Sequence, residues 1–338
     1  MKKLFGHDLA IDIGTANTVF YRAHHGVVLN EPSVICINTS TGAVISVGSD
    51  ARSMVGRTPD NIVSIRPLKD GVVADFETAQ KMLGMFMEKV GMKRIFSKPT
   101  VVVAVPPVVT SVEHRAIKDA AFAAGARKVY IMEEPMAAAI GAGLPVQEPM
   151  GSMIVDIGGG TTEIAVIALG GIVCDKSVKI AGDVFTNDIV YYMRTQHNLF
   201  VGESTAEKIK ITVGAALEEL ETAPEDMSVQ GRDLLTGKPK QVEVSYREIA
   251  KALDKSIQRI EDAVMETLSQ TPPELAADIY NTGIYLAGGG SMLRGLDKRI
   301  SQKTDLPVYI AEDPLRAVVR GTGMALKNIP KFRSILIK

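Results

Sequence analysis

The stretch most suited to chemistry is a glycine-rich turn at residues 154–164, where two apolar runs flank a short polar loop. Its polar part consists of an acid, three glycines and two hydroxyls: Asp156, Gly158, Gly159, Gly160, Thr161 and Thr162. The pattern predicts a strand, a tight turn and a second strand. Three glycines leave backbone N–H groups open to close approach, so the loop can cradle phosphate oxygens without cationic side chains.

Asp156 cannot contact those phosphates directly, because two anions at that distance repel each other. A divalent cation between them removes the repulsion, and Mg²⁺ favours carboxylate and water oxygens. The turn therefore predicts a nucleotide site with a metal ion. A glycine-rich β-hairpin without a ligand is the alternative that a single turn of this kind leaves open.

A second copy of the design at residues 9–19 favours the nucleotide site. There Asp12 ends an apolar run, and small or polar residues follow it: Gly14, Thr15, Ala16 and Asn17. Such duplication predicts two similar halves that face each other. A third glycine cluster follows the apolar run at 284–286 and leads towards a helix: Ala287, Gly288, Gly289, Gly290 and Met292. One ligand between two halves would contact all three loops.

These loops resemble the two phosphate hairpins and the adenosine loop of the actin, Hsp70 and sugar-kinase ATPase superfamily. Within it, the chain is most similar to the MreB family of bacterial actin homologues. Further segments carry this resemblance along nearly the whole chain: residues 30–35, 65–67, 70–76, 133–141, 202–207 and 271–275.

The resemblance implies an α/β, actin-like ATPase fold with two similar domains and the nucleotide in the cleft between them. Each domain would hold a five-stranded mixed sheet with flanking helices and a smaller inserted subdomain. Domain I would comprise residues 1–143 and 316–338, with an insertion at about 32–70. Domain II would comprise residues 144–315, with an insertion at about 181–243.

ATP and Mg²⁺ are the ligands that the resemblance implies, with Asp12 and Asp156 holding the metal through water. Glu134 matches the position that the superfamily uses to orient the attacking water. Its neighbour Glu133 would point to the opposite side if strand geometry persists there. The Thr161 hydroxyl would reach either the γ-phosphate or that water.

For the base and ribose, the resemblance indicates the third glycine loop and one helical segment: Glu207, Lys208, Ile209 and Lys210. Glu207 and Lys210 are spaced to share one helix face. An exposed Glu–Lys pair of this spacing is also common without any ligand, and that alternative stays open.

The function implied is a slow, Mg-dependent ATPase coupled to polymerisation. Such filaments would lie in the cytoplasm on the inner face of the cell membrane, where they organise cell-wall synthesis with membrane-bound shape-determining proteins and maintain rod shape. A sugar or acetate kinase on the same fold would need an acceptor pocket with a base, and no further polar cluster suggests one. A chaperone would need an appended peptide-binding domain, for which the chain is too short.

Membrane contact is predicted at two short segments where apolar residues adjoin cations. Ile95 and Phe96 stand among Lys93, Arg94 and Lys98, and Leu4 and Phe5 follow two lysines at the amino terminus. Apolar tips ringed by cations suit an anionic bilayer surface. The alternative for the first segment is a loop whose apolar pair folds back into the core.

Composition excludes several other classes. At 338 residues the chain is long enough for two domains of ordinary size. A net charge of −1 and the lack of a basic run predict no nucleic-acid partner. The two cysteines, Cys36 and Cys174, are predicted to be reduced thiols of a cytosolic protein. Since no apolar run approaches the roughly 20 residues of a spanning helix, no membrane span is predicted.

The elements that position the site follow from hydrophobic periodicity. Residues 9–39 predict three strands, with turns at 24–26 and at 31–32. Glu134 is expected to end a strand just before a proline. Three helices are predicted to begin at serine caps, which are Ser111, Ser204 and Ser245.

Overall fold

The computed structural model describes residues 8–69, 71–92, 98–107 and 109–337, and only the backbone of Val72 and Val73. The described strands are β1 Leu9–Ile13, β2 Asn17–Arg22, β3 Gly26–Pro32, β4 Ile35–Asn38, β5 Val44–Val47, β6 Ile62–Ile65, β7 Leu68–Lys69, β8 Val72–Val73, β9 Thr100–Val105, β10 Lys128–Glu133, β11 Ser152–Ile157, β12 Thr162–Ala168, β13 Gly171–Val178, β14 Leu199–Phe200, β15 Met227–Asp233, β16 Pro239–Val244, β17 Ile284–Ala287 and β18 Val308–Ile310. The described helices are α1 Ser49–Met54, α2 Phe76–Lys89, α3 Ser111–Ala123, α4 Glu134–Gly141, α5 Gly182–Gln196, α6 Glu203–Val213, α7 Tyr246–Gln270, α8 Pro273–Thr282, α9 Leu296–Thr304 and α10 Ala317–Lys327.

Two five-stranded mixed sheets form the centres of two similar halves, with strand orders β10-β9-β1-β2-β3 and β13-β12-β11-β17-β18. In each sheet the hairpin strands pair antiparallel and the remaining strands join in parallel. The registers match as well, because Asp12 lies opposite Val19 in one sheet and Asp156 lies opposite Glu163 in the other. The predicted duplication and the actin-like α/β fold are confirmed.

Each half also carries a smaller three-stranded sheet, with strand orders β5-β4-β6 and β14-β15-β16. The first lies at residues 35–65 and the second at residues 199–244, close to the two stretches predicted as insertions. The predicted domain bounds themselves stay predictions.

Helices α4 and α10 pack between the two large sheets. Their cluster takes Ala104 from the first sheet and Ala165 and Ile167 from the second. The helices cross at glycines: a Cβ atom added at Gly321 would lie only 1.8 Å from the carbonyl oxygen of Ala137. Since this is far below van der Waals contact, the two backbones touch and glycine is required at the crossing.

Local details differ from the sequence predictions at several ends. Residues 9–39 hold four strands, because the chain breaks at Ser33 and not at residues 31–32, which belong to β3. Helix α3 is capped by Thr110, one residue before the predicted Ser111, because Thr110 forms a capping box with Glu113. Helix α6 follows Gly202 without a side-chain cap, so Ser204 lies inside the helix.

The prediction for α7 is confirmed, since the Ser245 hydroxyl accepts a hydrogen bond from the Glu248 N–H in a full capping box. Apolar residues then repeat along one face of this 25-residue helix and enter the core of the second half. None of the described helices is long and apolar enough to cross a membrane. The predicted membrane residues Leu4, Phe5, Ile95 and Phe96 lie outside the described residues.

Candidate functional site

Two loops of identical construction face the space between the halves, and we call them hairpin 1 (residues 12–19) and hairpin 2 (residues 156–163). In hairpin 1 the Gly14 N–H donates to the carbonyl oxygen of Asn17 at 3.0 Å. In hairpin 2 the Gly158 N–H donates to the carbonyl oxygen of Thr161 at 2.9 Å. The two turns therefore correspond residue by residue, as the duplicated sequence predicts.

The tips of the two hairpins contact each other. A Cβ atom added at Gly159 would lie 2.7 Å from the Cβ atom of Ala16. The third glycine loop packs beneath hairpin 2: at Gly288, where φ is +78°, a Cβ atom would lie 2.3 Å from the carbonyl oxygen of Ile157 and 2.5 Å from Asp156 Oδ1. The structure thus brings the three predicted loops together, with glycine where the backbones approach each other most closely.

Both hairpins are held from behind by the chain that leaves the third strand of their sheet. The Ser33 hydroxyl donates to the Gly14 carbonyl oxygen at 2.6 Å. In the other half, the N–H groups of Gly182 and Asp183 donate to the carbonyl oxygens of Gly158 and Gly159 at 3.1 and 2.8 Å. Ser33 lies in one of the segments that carry the resemblance, yet its sequence position alone assigned it no role.

Four buried carboxyl groups lie close together at the hairpins, and the charges of some raise the pKa of others: Asp12, Glu134, Asp156 and Glu163. Burial raises the pKa of Asp12 to about 7. Burial, followed by the charges of Asp12 and Glu163, raises the pKa of Asp156 to about 8. The pKa of Glu134 lies well above its ordinary value for the same reason, since it is buried and then repelled by Asp12, Asp156 and Glu163.

This donor set fits a magnesium ion, because buried carboxylates that repel one another are stabilised by a divalent cation between them. Among the described residues, no three His, Cys, Asp or Glu side chains are placed to hold a metal by themselves. Water and phosphate oxygens would therefore complete the coordination, as Mg²⁺ commonly requires.

Glu134 and Glu133 lie in different surroundings. Glu134 begins α4 and does not end the preceding strand, because β10 ends at Glu133 and Pro135 lies in the first turn of the helix, where proline is tolerated. Burial and then the charge of Asp175 raise the pKa of Glu133. Asp175 lies on the outer strand β13, so the charge that affects Glu133 comes from outside the two hairpins. Of the two neighbours, only Glu134 is acted on by the acids of the two hairpins.

Thr161 occupies a contact between the two halves and is only 7% exposed. Burial raises the pKa of the neighbouring Glu163 carboxyl, and the Ser177 hydroxyl and then the Thr161 hydroxyl partly offset that rise. The Thr161 methyl group lies against Gly71 of the β7–β8 turn, where φ is +74° and a Cβ atom would lie 2.7 Å from Thr161 Cγ2. The Thr161 side chain thus packs against the first half of the molecule.

On the predicted base and ribose side, α6 joins α5 through Lys210. The Lys210 ammonium lies 2.7 Å from Glu207 Oε2, 2.8 Å from the Gly182 carbonyl oxygen and 3.0 Å from the Thr186 hydroxyl. Burial alone would raise the pKa of Glu207, but the charge and hydrogen bond of Lys210 and the hydrogen bond of Thr186 lower it. The pair is therefore tied to the segment behind hairpin 2.

The remaining predicted residues of this region differ in exposure. Ile209 is fully buried in the core, whereas Lys208 is exposed. Met292 is 56% exposed at the end of the third glycine loop. This loop adjoins the end of α6, since a Cβ atom at Gly214 would lie 2.9 Å from Leu293. Nucleotide binding by these residues stays a prediction.

An ion-pair group joins the two insertions across the cleft. Arg66, just after β6, pairs with Glu203 at the start of α6 and lies 3.6 Å from Asp183 at the start of α5. All three side chains are partly exposed. The sequence indicated Arg66 and Glu203 only as members of segments that carry the resemblance, because nothing local connects residues so far apart.

Comparisons with known proteins agree with this architecture. Residues 6–334 match the family model described as MreB/Mbl protein. The cell shape-determining protein Mbl of Bacillus subtilis strain 168 is 47% identical, covering 97% of this chain and 98% of its own. The cell shape-determining protein MreB of Escherichia coli K12 is 50% identical, covering 96% and 95%. The crystal structure of Spiroplasma citri MreB5 bound to ADP gives a TM-score of 0.91 at 40% identity, covering 96% and 98%, and the same protein bound to AMPPNP gives 0.90.

Proposed function

The chain belongs to the MreB/Mbl family, and from that premise we propose that it binds and slowly hydrolyses ATP and polymerises into filaments that help to set cell shape. One observation carries the proposal: two equivalent hairpins meet tip to tip above a shared group of buried carboxyls. The relatives named cell shape-determining support the cellular role, and the relative solved with AMPPNP and ADP supports the nucleotide.

In this proposal the hairpin backbones bind the phosphates, since glycine N–H groups at Gly158 to Gly160 and the small residues at 14–16 allow close approach. Asp12 and Asp156 hold the metal side through water. A magnesium ion held there would supply positive charge beside the transferred phosphoryl group. Glu134 orients the attacking water and accepts its proton, and the buried position of its carboxyl supplies the raised pKa that such a base needs.

Contacts across the cleft would allow the bound nucleotide to change how the two halves of the subunit are arranged. Thr161 of hairpin 2 touches Gly71 of the other half, and Arg66 pairs with Glu203 above the cleft. A triphosphate that fills the space between the hairpins would hold these contacts together, and its product would release them. Hydrolysis would then act as a timer for the filament.

We further propose that filaments attach to the inner face of the cell membrane and there organise membrane-bound cell-wall synthesis proteins. The support is sequence composition at Ile95, Phe96, Leu4 and Phe5. Each buried apolar side chain contributes about 1.5–3 kcal/mol and each nearby cation about 1 kcal/mol, which is weak for one subunit. A filament repeats the contact, so avidity makes the attachment firm.

Sedimentation of the purified protein over a concentration series, with ATP, ADP or no nucleotide, tests the polymer. We expect pelleting above a critical concentration with ATP, accompanied by slow phosphate release. Hydrolysis without any polymer would contradict the proposal and favour a metabolic kinase.

The membrane part is tested with anionic liposomes and the Ile95→Ser, Phe96→Ser double variant. This variant should form filaments in solution but no longer pellet with lipid. Undiminished lipid binding at equal polymer mass would place the apolar pair in the core.

A further inference from the structure

Ser33 carries a fully buried hydroxyl that has no part in the proposed mechanism. The residue follows β3 and contacts hairpin 1 at two points. Its hydroxyl donates to the carbonyl oxygen of Gly14 at 2.6 Å, and its N–H donates to the carbonyl oxygen of Ala16 at 3.0 Å. Of these two donors, the hydroxyl is the one that a substitution can remove.

A second buried hydroxyl directs the first. Thr18 Oγ1 lies 2.9 Å from Ser33 Oγ. A hydroxyl has one proton and a carbonyl oxygen can only accept, so the Ser33 proton goes to Gly14 and Thr18 must be the donor to Ser33. Both residues are 0% exposed, so bulk water does not compete for these hydrogen bonds.

The duplication allows a direct comparison of the Gly14 carbonyl group between the halves. Gly14 corresponds to Gly158, because each glycine follows the aspartate of its hairpin by two residues. In hairpin 2 the Gly158 carbonyl oxygen accepts a hydrogen bond from the backbone N–H of Gly182 at 3.1 Å. The same oxygen is therefore held in both halves, by a backbone group in hairpin 2 and by the Ser33 side chain in hairpin 1.

Holding a carbonyl oxygen also fixes the N–H of the residue that follows it. A trans peptide unit is planar, and its C=O and N–H bonds point in opposite directions. The hydrogen bond from Ser33 to Gly14 therefore directs the Thr15 N–H away from Ser33. The hydrogen bond from Gly182 to Gly158 directs the Gly159 N–H in the same way.

The two N–H groups that are directed in this way lack a protein partner. Neither the Thr15 N–H nor the Gly159 N–H donates a hydrogen bond to another described residue. Thr15 is only 8% exposed, and nearly all buried N–H groups in folded proteins are paired. Free N–H groups at these equivalent positions therefore indicate a ligand that accepts hydrogen bonds, as phosphate oxygens do.

We propose that Ser33 is a positioning residue for the nucleotide, which through the Gly14 carbonyl group aims the Thr15 N–H at a phosphate oxygen. The inference rests on the proposed ATPase function. It adds that the phosphate-binding geometry of hairpin 1 depends on one buried hydroxyl, whereas that of hairpin 2 depends on backbone groups.

The test uses Ser33→Ala in the full chain, with calorimetry of AMPPNP and of adenosine in the presence of magnesium. We expect the affinity for AMPPNP to fall about five- to twentyfold, which is part of the value of a hydrogen bond to a charged group, because the Thr15 N–H remains but loses its direction. The affinity for adenosine, which has no phosphate, should stay unchanged. An equal loss for both ligands would overturn the inference, and so would a folded Ser33→Ala protein with wild-type affinity for AMPPNP.

Ser301→Ala is the matched control. Ser301 lies on α9, and its hydroxyl donates to the carbonyl oxygen of Leu306 at 2.7 Å, so this change removes the same kind of hydrogen bond away from the hairpins. We expect normal affinity for AMPPNP and for adenosine. If Ser301→Ala reproduces the selective loss of AMPPNP affinity, the direction of the Thr15 N–H is not the cause and the inference is overturned.

A double-variant cycle checks that Thr18 acts through Ser33. Thr18→Val removes the donor that directs the Ser33 hydroxyl, and it should lower AMPPNP affinity about two- to fivefold. In the Ser33→Ala background the same change should cause no further loss, and losses that multiply would overturn the inference.

If Ser33→Ala fails to fold, Thr18→Val alone decides. Unchanged AMPPNP affinity in a folded Thr18→Val protein would then overturn the inference. A wild-type protein that binds neither AMPPNP nor ATP would instead refute the proposed function.

Discussion

Replacing Gly321 with alanine should separate the two helices that pack between the sheets. The added Cβ atom would lie 1.8 Å from the carbonyl oxygen of Ala137, whereas such a contact needs about 3.3 Å. The backbones of α4 and α10 must therefore move apart by roughly 1.5 Å. Alanine is favoured over glycine in a helix by about 1 kcal/mol, but overpacking of this kind costs about 1–3 kcal/mol or more, so destabilisation should prevail.

The same substitution at Gly84 is the control. Gly84 lies in the middle of α2, and a Cβ atom there would meet nothing within 4 Å. Gly84→Ala should therefore raise the free energy of unfolding by about 0.5–1 kcal/mol, through the lower entropy of the unfolded chain. Urea denaturation of both variants should show a lower free energy of unfolding for Gly321→Ala and a higher one for Gly84→Ala.

Gly321→Ala should also reduce phosphate release, because α4 begins at Glu134 and moves as a unit. A displacement of about 1 Å at a catalytic group lowers the rate by about 10²-fold. If Gly321→Ala is as stable as the wild type, or more stable, the close crossing of the helices is refuted. Normal phosphate release in a folded but destabilised Gly321→Ala protein would refute only the link to Glu134.

Three further predictions concern charges of the site. The pKa of Asp156 is raised to about 8, so without metal the folded state binds this proton more tightly than the unfolded state and stability falls as pH rises towards 8. In EDTA, the stability advantage of Asp156→Asn over the wild type should therefore grow by about 4 kcal/mol between pH 5 and pH 8 in urea denaturation, and a constant difference would contradict it. Glu134→Ala should bind ATP but lose about 10²–10⁴-fold in phosphate release, whereas Glu133→Ala should stay active, and the opposite result would assign the water to Glu133. Arg66→Ala removes its partly exposed ion pair with Glu203, so calorimetry should find ATP affinity reduced by up to about fivefold at low salt and unchanged at high salt.

The loops of the site could be predicted from the sequence because each is a local pattern. An acid at a strand end, a run of glycines and an apolar return specify a hairpin within about ten residues, and two copies specify two facing halves. The contact between Gly159 and Ala16 is the direct consequence of that duplication. The pattern did not explain why each glycine is needed, because the backbone that approaches it comes from elsewhere in the chain.

The residues that support the site could not be predicted from the sequence, for the same reason. Ser33 donates a hydrogen bond to hairpin 1 and Ser177 donates one to Glu163, but serines in strand-rich stretches carry no local signal. Arg66 finds its partners only after both insertions have folded. Helix starts were misplaced by one or two residues where a threonine or a glycine precedes the predicted serine, because capping depends on backbone conformation.

The position of α10 affects the order in which the two halves can fold during translation. This helix packs against β1 and β9, and Ile337 pairs with Ile131 at the edge of the same sheet. The amino-terminal sheet is therefore covered by residues that are synthesised about 200 residues after its own last strand, β10. The strands of the other sheet lie between residues 152 and 310 and are all synthesised earlier. During translation the second half can assemble its sheet first, whereas the first half keeps an apolar face uncovered until α10 has been synthesised. The first half is therefore the one that needs protection from aggregation.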